Sequence, residues 1–251
     1  MEWQSEGVLI ARRRHGESGA IVELFTEAQG RHAGFVPGGA GRKLAPILQP
    51  GAQLSATWRA RLAEQIGTFR VEPIRIRAAA IFEDRDALAA LASIAALLCW
   101  CLPEREAHPA LYRTTIAVLD GLGEAGWPSA YARWELALLR EMGFGPDLSR
   151  CAVTGARANL AFVALETGQA LGAAAADRFH AAHILPLPGF LIADNTAPPG
   201  PAASDADIAM GLAVTGFFLE QWLSPAMERP GLPPARIRCA ARLAARAASA
   251  P

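Results

Sequence analysis

Along this chain the spacing of apolar residues changes once, near Ala78, from a period of two to a period of 3.6. A period of two buries one side of a strand and a period of 3.6 one stripe of a helix, so the fold must place strands first and helices after. Five strand-like segments lead: Gly7–Arg14, Ala20–Thr26, Arg31–Val36, Gln53–Arg61 and Gly67–Arg77. His15-Gly16-Glu17-Ser18-Gly19 and Ala28-Gln29-Gly30 supply tight turns, and a glycine-rich arm from Pro37 to Lys43 follows the third segment. Five short strands with turn signals between them predict a small closed barrel of the OB type.

Beyond Ala78, Leu88, Leu91, Ala95, Leu98 and Leu102 mark one face of a helix that starts near Asp84. Glu83, Asp84 and Asp86 sit at its start, where carboxylates complement the helix dipole. Leu111–Leu122 and Tyr131–Met142 predict two more helices. Residues 143–201 are mixed and rich in Gly and Pro, with a hairpin expected around Ala161–Leu171 and a surface loop over Asn195–Pro201. Ser204 with Asp207 reads as a cap for a helix over Ile208–Leu223, and an Ala/Arg-rich helix is expected from Pro234 to Ala248. The class is therefore α+β.

Net charge is zero over 251 residues, but it is unevenly distributed. Residues 1–80 hold eleven basic side chains against seven acidic ones, residues 81–204 eight against thirteen, and residues 205–251 five against four. A basic strand module on an acidic helical body suggests a surface for polyanions. Lys43 is the only lysine, so the charge is almost all guanidinium, which grips phosphate at two points and also stacks on bases. Arg12, Arg13 and Arg14 alternate sides along one strand, so at most two serve one surface. Arg59 and Arg61 share a side. The candidate nucleic-acid residues are Arg12, Arg14, Arg31, Arg42, Lys43, Arg59 and Arg61. Arg42 and Lys43 tip the glycine arm, read here as a flexible flap over a phosphate backbone. Phe35 and Trp58 are the candidate stacking surfaces.

Other chemistries find little support. Gly41-Arg42-Lys43-Leu44 lacks the hydroxyl that a phosphate-binding P-loop places after its lysine. No nucleophile elbow and no His-Glu-x-x-His helix occurs. Cys99-Trp100-Cys101 has the wrong spacing for a zinc knuckle, and Cys151 with His180 and His183 gives three ligands where structural zinc takes four. No apolar run approaches the roughly 18 residues of a membrane span, and the four cysteines do not suggest a disulfide framework. A cytoplasmic protein is expected.

Several local patterns are shared with a known family. Trp3–Arg14, then Glu17–Thr26, then Gly30-Arg31 form an opening hairpin, and a basic glycine-containing arm follows at Gly38–Lys43. Trp134–Gly143 leads into Met142-Gly143-Phe144 and then Asp147-Leu148-x-x-Cys151. In this order the patterns resemble the bacterial recombination mediator family RecO, and they span nearly the whole chain. The resemblance implies an OB-type barrel over residues 1–79, helical parts over 80–146 and 204–251, and a zinc-finger-like insertion over 147–203. Zinc-bearing members carry Cys-x-x-Cys-Gly where this chain reads Cys151-Ala152-Val153-Thr154-Gly155, and a second Cys pair where it reads Gly168 to Ala175. The insertion is thus expected to be degenerate, with Cys151 vestigial and no zinc.

What the resemblance implies of function is a protein without catalytic activity. It binds single- and double-stranded DNA, anneals complementary strands, and with RecR helps load RecA onto strands coated by single-strand-binding protein. The acidic C-terminal tail of that coat protein is an expected ligand, for which Arg113, Arg133 and Arg140 along the middle helices are the candidate rim. Two other readings of the residues are a protein-binding adaptor whose barrel ignores DNA, and a metal-dependent nuclease built on Glu83–Asp86.

Overall fold

Strand-period alternation produces five strands: β1 (Glu2–His15), β2 (Gly19–Thr26), β3 (Gly30–Val36), β4 (Gln53–Arg59) and β5 (Thr68–Arg75). They are seen in a computed structural model that describes residues 1–62, 64–192 and 203–249. The strands close into a barrel in the order β1-β2-β3-β5-β4, antiparallel except where β3 meets β5. A bulge between Leu9 and Ala11 bends β1, which pairs β4 through residues 2–8 and β2 through residues 7–15. Inward residues Leu9, Val22, Leu24, Leu54, Ala56, Trp58 and Phe69 fill the interior, and Leu48, from the β3–β4 connection, is fully buried among them.

Helix α1 (Arg85–Cys101) starts where the acidic cluster predicts. The Asp84 side chain accepts the N–H groups of Asp86 and Ala87, which makes Asp84 an N-cap. Helix α2 (Pro109–Asp120) brings Tyr112 edge-on to Phe25 at 5.5 Å. Gln53 Nε2 donates to the Tyr112 hydroxyl at 3.0 Å. Residues 1–123 with 233–236 make one compact unit, so α1 and α2 cluster with the barrel.

Arg77 belongs to this unit and is only 4% exposed. Its Nε donates to Asp120 Oδ1 at 2.6 Å, and its Nη1 to the Gly51 carbonyl at 3.0 Å and to Gln53 Oε1 at 3.2 Å. Arg75 reaches the same carboxylate at 2.8 Å. Inside the barrel, His32 is packed edge-on between Trp58 at 4.8 Å and Trp3 at 5.1 Å, and neither ring nitrogen has a hydrogen-bond partner.

The second unit comprises residues 124–232 and 237–251. Helix α3 (Trp127–Glu141) buries Tyr131, Trp134 and Leu138. Its fully buried Glu135 accepts the hydroxyls of Tyr131 and of Thr215 on α4 (Asp205–Phe218). The Ser204–Asp207 pair forms a reciprocal capping box at the start of α4. The helix expected to run on to Leu223 instead widens into a π-turn at Leu219–Leu223. The expected hairpin is β6 (Leu160–Ala164) with β7 (Ala170–Gly172), and a third strand, β8 (Ile184–Pro186), pairs the other edge of β6. Gly168, at φ +67°, turns the chain between β6 and β7 beneath Trp222, where a β-carbon would come within 2.8 Å of the indole. Helix α5 (Pro234–Ser249) ends the described chain, and the loop expected over Asn195–Pro201 lies outside the described residues. No described helix is long and apolar enough to cross a membrane.

Arg77→Met takes from Asp120 one of its two cations, leaves the Gly51 carbonyl and Gln53 Oε1 without their donor, and is expected to cost about 2–3 kcal/mol in urea unfolding. Arg77→Lys should restore little, because an ammonium on a flexible stem does not reproduce the planar fork. Burial, reinforced by the Arg105 charge, holds the His32 imidazole down at about 4, against its ordinary 6.5. Between pH 6.5 and 4 the unfolded chain therefore takes up a proton that the folded chain refuses. The contribution of neutral His32 to stability is complete above pH 6.5 and falls as pH drops toward 4. The gap in unfolding midpoint between the native chain and His32→Phe should change across that window and stay constant above pH 7.

Candidate nucleic-acid interface

In β1 the three consecutive arginines separate by strand alternation. Arg12 pairs across the sheet with Val22 and Arg14 with Ala20, both interior positions, whereas Arg13 pairs with Ile21 on the outer side. Arg12 is half-buried, and its guanidinium donates to the carbonyls of Ala45 at 3.0 Å and Leu48 at 3.5 Å. Those carbonyls belong to the segment that follows the arm in the β3–β4 connection, so Arg12 is engaged in fastening the base of the arm. Arg14 is exposed at the hairpin end, near the Glu17 carbonyl at 3.4 Å. Arg13, which alternation alone does not single out, is exposed and points outward.

The glycine arm is not the flexible flap that its composition suggests. Ala40 N–H donates to the Ser18 carbonyl at 2.8 Å, Gly39 N–H to Val36 at 3.1 Å, and Ala45 N–H to Gly41 at 2.9 Å. Leu44 and Ile47 pack on the barrel core beside Leu48. A folded cap therefore presents Arg42 and Lys43, both exposed and without an ion pair among the described residues.

Arg31 is taken up by the fold, with a side chain 13% exposed, an ion pair to Glu23 at 2.6 Å and a bond to the Leu102 carbonyl at 2.8 Å. Arg59 is well exposed but pairs with Glu2 at 2.8 Å across β1 and β4. Arg61 is exposed and unpaired among the described residues. Both border a shallow depression of about 770 Å3 lined also by Met1, Glu2, Ala60 and Thr68. Trp58 is 2% exposed and gives its indole N–H to the Ile66 carbonyl, so it offers no stacking face. Phe35 is half-buried on the outer side of β3.

The three arginines suggested for a peptide rim fall in separate settings. Arg113 pairs with Glu27 in the first unit. In the second, Arg133 lies 5.9 Å from the centre of the Phe190 ring and Arg140 is exposed. Among the described residues no three of His, Cys, Asp and Glu come together to hold a metal, which covers both Glu83–Asp86 and Cys151 with His180 and His183. His180 Nδ1 accepts the Ala182 N–H and His183 pairs with Glu166 at 2.9 Å. The Cys151 sulfur is buried and accepts the Gly172 N–H at 3.3 Å. The Thr154 side chain, ahead of backbone N–H groups, pulls its thiol down to about 6. With Thr154 rather than a second thiolate beside it, this turn does not fit structural zinc.

The chain matches two family descriptions, "Recombination protein O N terminal" over residues 1–77 and "Recombination protein O C terminal" over residues 82–223. It is 53% identical to the DNA repair protein RecO of Jannaschia sp. (strain CCS1) over 95% of this chain and 94% of that one. Against the DNA repair protein RecO of Ruegeria sp. (strain TM1040) it is 48% identical over 98% of this chain and 100% of the relative.

Arg12→Ala should release the arm. The expected cost is about 1–2 kcal/mol, with faster hydrogen exchange at the Ala45 and Leu48 amides and unchanged exchange on α3.

Proposed function

This chain belongs to the RecO family, whose role is in DNA repair and recombination, and from that premise we propose that it is a mediator acting on DNA strands without catalysing a covalent step. It binds single- and double-stranded DNA, anneals complementary strands, and together with RecR helps RecA replace single-strand-binding protein. The barrel, with its strand order and parallel β3–β5 closure, acts as an OB-type DNA-binding module. The observation that carries the reading is the set of exposed, unpaired cations Arg13, Arg42, Lys43 and Arg61 on that barrel. Arg14 and Arg59 extend it.

Phosphate neutralisation by such a set gives affinity without base readout, as annealing of arbitrary sequences requires. The acidic tail of single-strand-binding protein is the proposed peptide ligand of the helical part, with Arg133 and Arg140 as candidate contacts and Arg113 set aside by its bond to Glu27. The β6–β8 lobe is a degenerate zinc finger that folds without metal, on its hydrogen-bonded Cys151 turn and the Trp222–Gly168 contact. The protein works in the cytoplasm, at the nucleoid during repair.

The test is annealing of complementary strands coated with cognate single-strand-binding protein, with no nucleotide or metal, at two salt concentrations. Acceleration that fades with salt is expected. Arg42→Ala with Lys43→Ala should weaken binding to all sequences alike and lower the salt slope by about 0.7 for each single-strand phosphate no longer neutralised. A folded chain that binds no DNA at any salt would favour an adaptor with a protein-binding barrel.

A further inference from the structure

The strand registers place one row of paired residues across all five strands. Arg13 of β1 faces Ile21 of β2, Ile21 faces Phe35 of β3, Phe35 faces Thr68 of β5, and Thr68 faces Arg59 of β4. Directly paired residues share a side of the sheet. The next row inward, Trp3, Trp58 and Phe69, is packed in the barrel, so the Arg59–Thr68–Phe35 row lies outside. We propose that a single DNA strand crosses the barrel along this row, held by phosphate at Arg13 and at Arg59, which exchanges its exposed Glu2 partner for phosphate, and stacking a base on Phe35. The proposal rests on the DNA-binding reading above and assigns the path and the base platform.

Three observations favour this path over the rest of the barrel's exterior. First, other outward positions on β2 and β3 are already covered. Phe25 is packed under Tyr112, and Arg31 with Glu23 is bonded to the segment around Leu102. Of the two residues at the other end, Ile21 is buried and Phe35 is the one left partly exposed. Second, Phe35 is held in place before any ligand arrives. His15 meets its ring edge-on at 5.8 Å, and the ring tip occupies the space that a β-carbon at Gly19 would need, 2.2 Å from Cε2. A fixed ring loses little freedom on stacking, and stacking on an aromatic face accepts any base. Third, the row is bounded. Glu2 stands beyond Arg59 on β1 and repels phosphate, so the strand stops at Arg59 and the neighbouring Arg61 and does not wrap back over β1. Four strand spacings separate Arg13 from Arg59, about 19 Å. That width suits about four nucleotides, the short end of what one such barrel holds.

The full-length chain would be titrated with short oligo-dT and with a duplex of the same length over a range of salt. Phe35→Leu should lower affinity for oligo-dT about tenfold with the salt slope unchanged. Phe35→Tyr should restore it, and the duplex, whose bases are stacked on one another, should be unaffected by either. Arg13→Ala and Arg59→Ala should each reduce the slope by about 0.7. Unfolding midpoints close to that of the native chain show that the variants are folded; if Phe35→Leu is not, Arg13→Ala and Arg59→Ala carry the test, and an unchanged salt slope in both would overturn the path. Native affinity and slope in Phe35→Leu, with the unaltered chain still binding, would overturn this path alone. Failure of the unaltered chain to bind oligo-dT at low salt would overturn the DNA-binding reading beneath it.

Discussion

One buried guanidinium joins the strand half of the first unit to its helices. Arg77 follows the last barrel strand, and its fork reaches the Gly51 turn, β4 through Gln53, and the end of α2 through Asp120. A buried cation is tolerable only when its donors are matched, and here the partners come from two segments far apart in sequence, Gly51–Gln53 and the end of α2. The arrangement fixes where the chain leaves the barrel and so where α1 and α2 lie. Those helices, and the turn after α1, cover part of the outer barrel surface and leave Phe35 partly exposed. The geometry of the proposed DNA path is thus set in part by an ion pair that is not on it.

The arginines divide into two populations that composition does not distinguish. Arg12, Arg31, Arg75 and Arg77 are used within the fold, on carbonyls or carboxylates. Arg13, Arg42 and Arg61 project outward with no ion pair among the described residues. Guanidinium suits both roles because its five donors satisfy several carbonyls at once when buried and bridge two phosphate oxygens when exposed. The excess of basic residues in the first 80 positions is therefore not a measure of binding charge.

Much of the fold is legible in the chain itself. Alternation locates all five strands, and Asp84 and the Ser204–Asp207 pair mark helix starts that the structure retains, because caps and periodicity are local properties. What stays hidden depends on register. Choosing between Arg13 and its neighbours Arg12 and Arg14 requires knowing which side of β1 faces the interior, and the bulge between Leu9 and Ala11 helps decide that. Trp58 reads as a candidate stacking surface because a lone strand does not reveal which side a sheet closes over. The arm reads as flexible because its three glycines are visible in sequence, whereas the bonds from Arg12 and to Ser18 that hold it are not. Strand β8 is three residues long, too short to leave a period.

The closure of the barrel has a consequence of its own. Its strands meet through long ladders except at β3 and β5, joined by the single register pair Phe35–Thr68. A cylinder seamed at one point opens first at that point, since few backbone bonds must break there before water enters. The residues that would carry a DNA strand across the barrel sit on both sides of this seam. Occupancy would then act as a clasp, and by mass action the barrel would be more resistant to opening when loaded than when free.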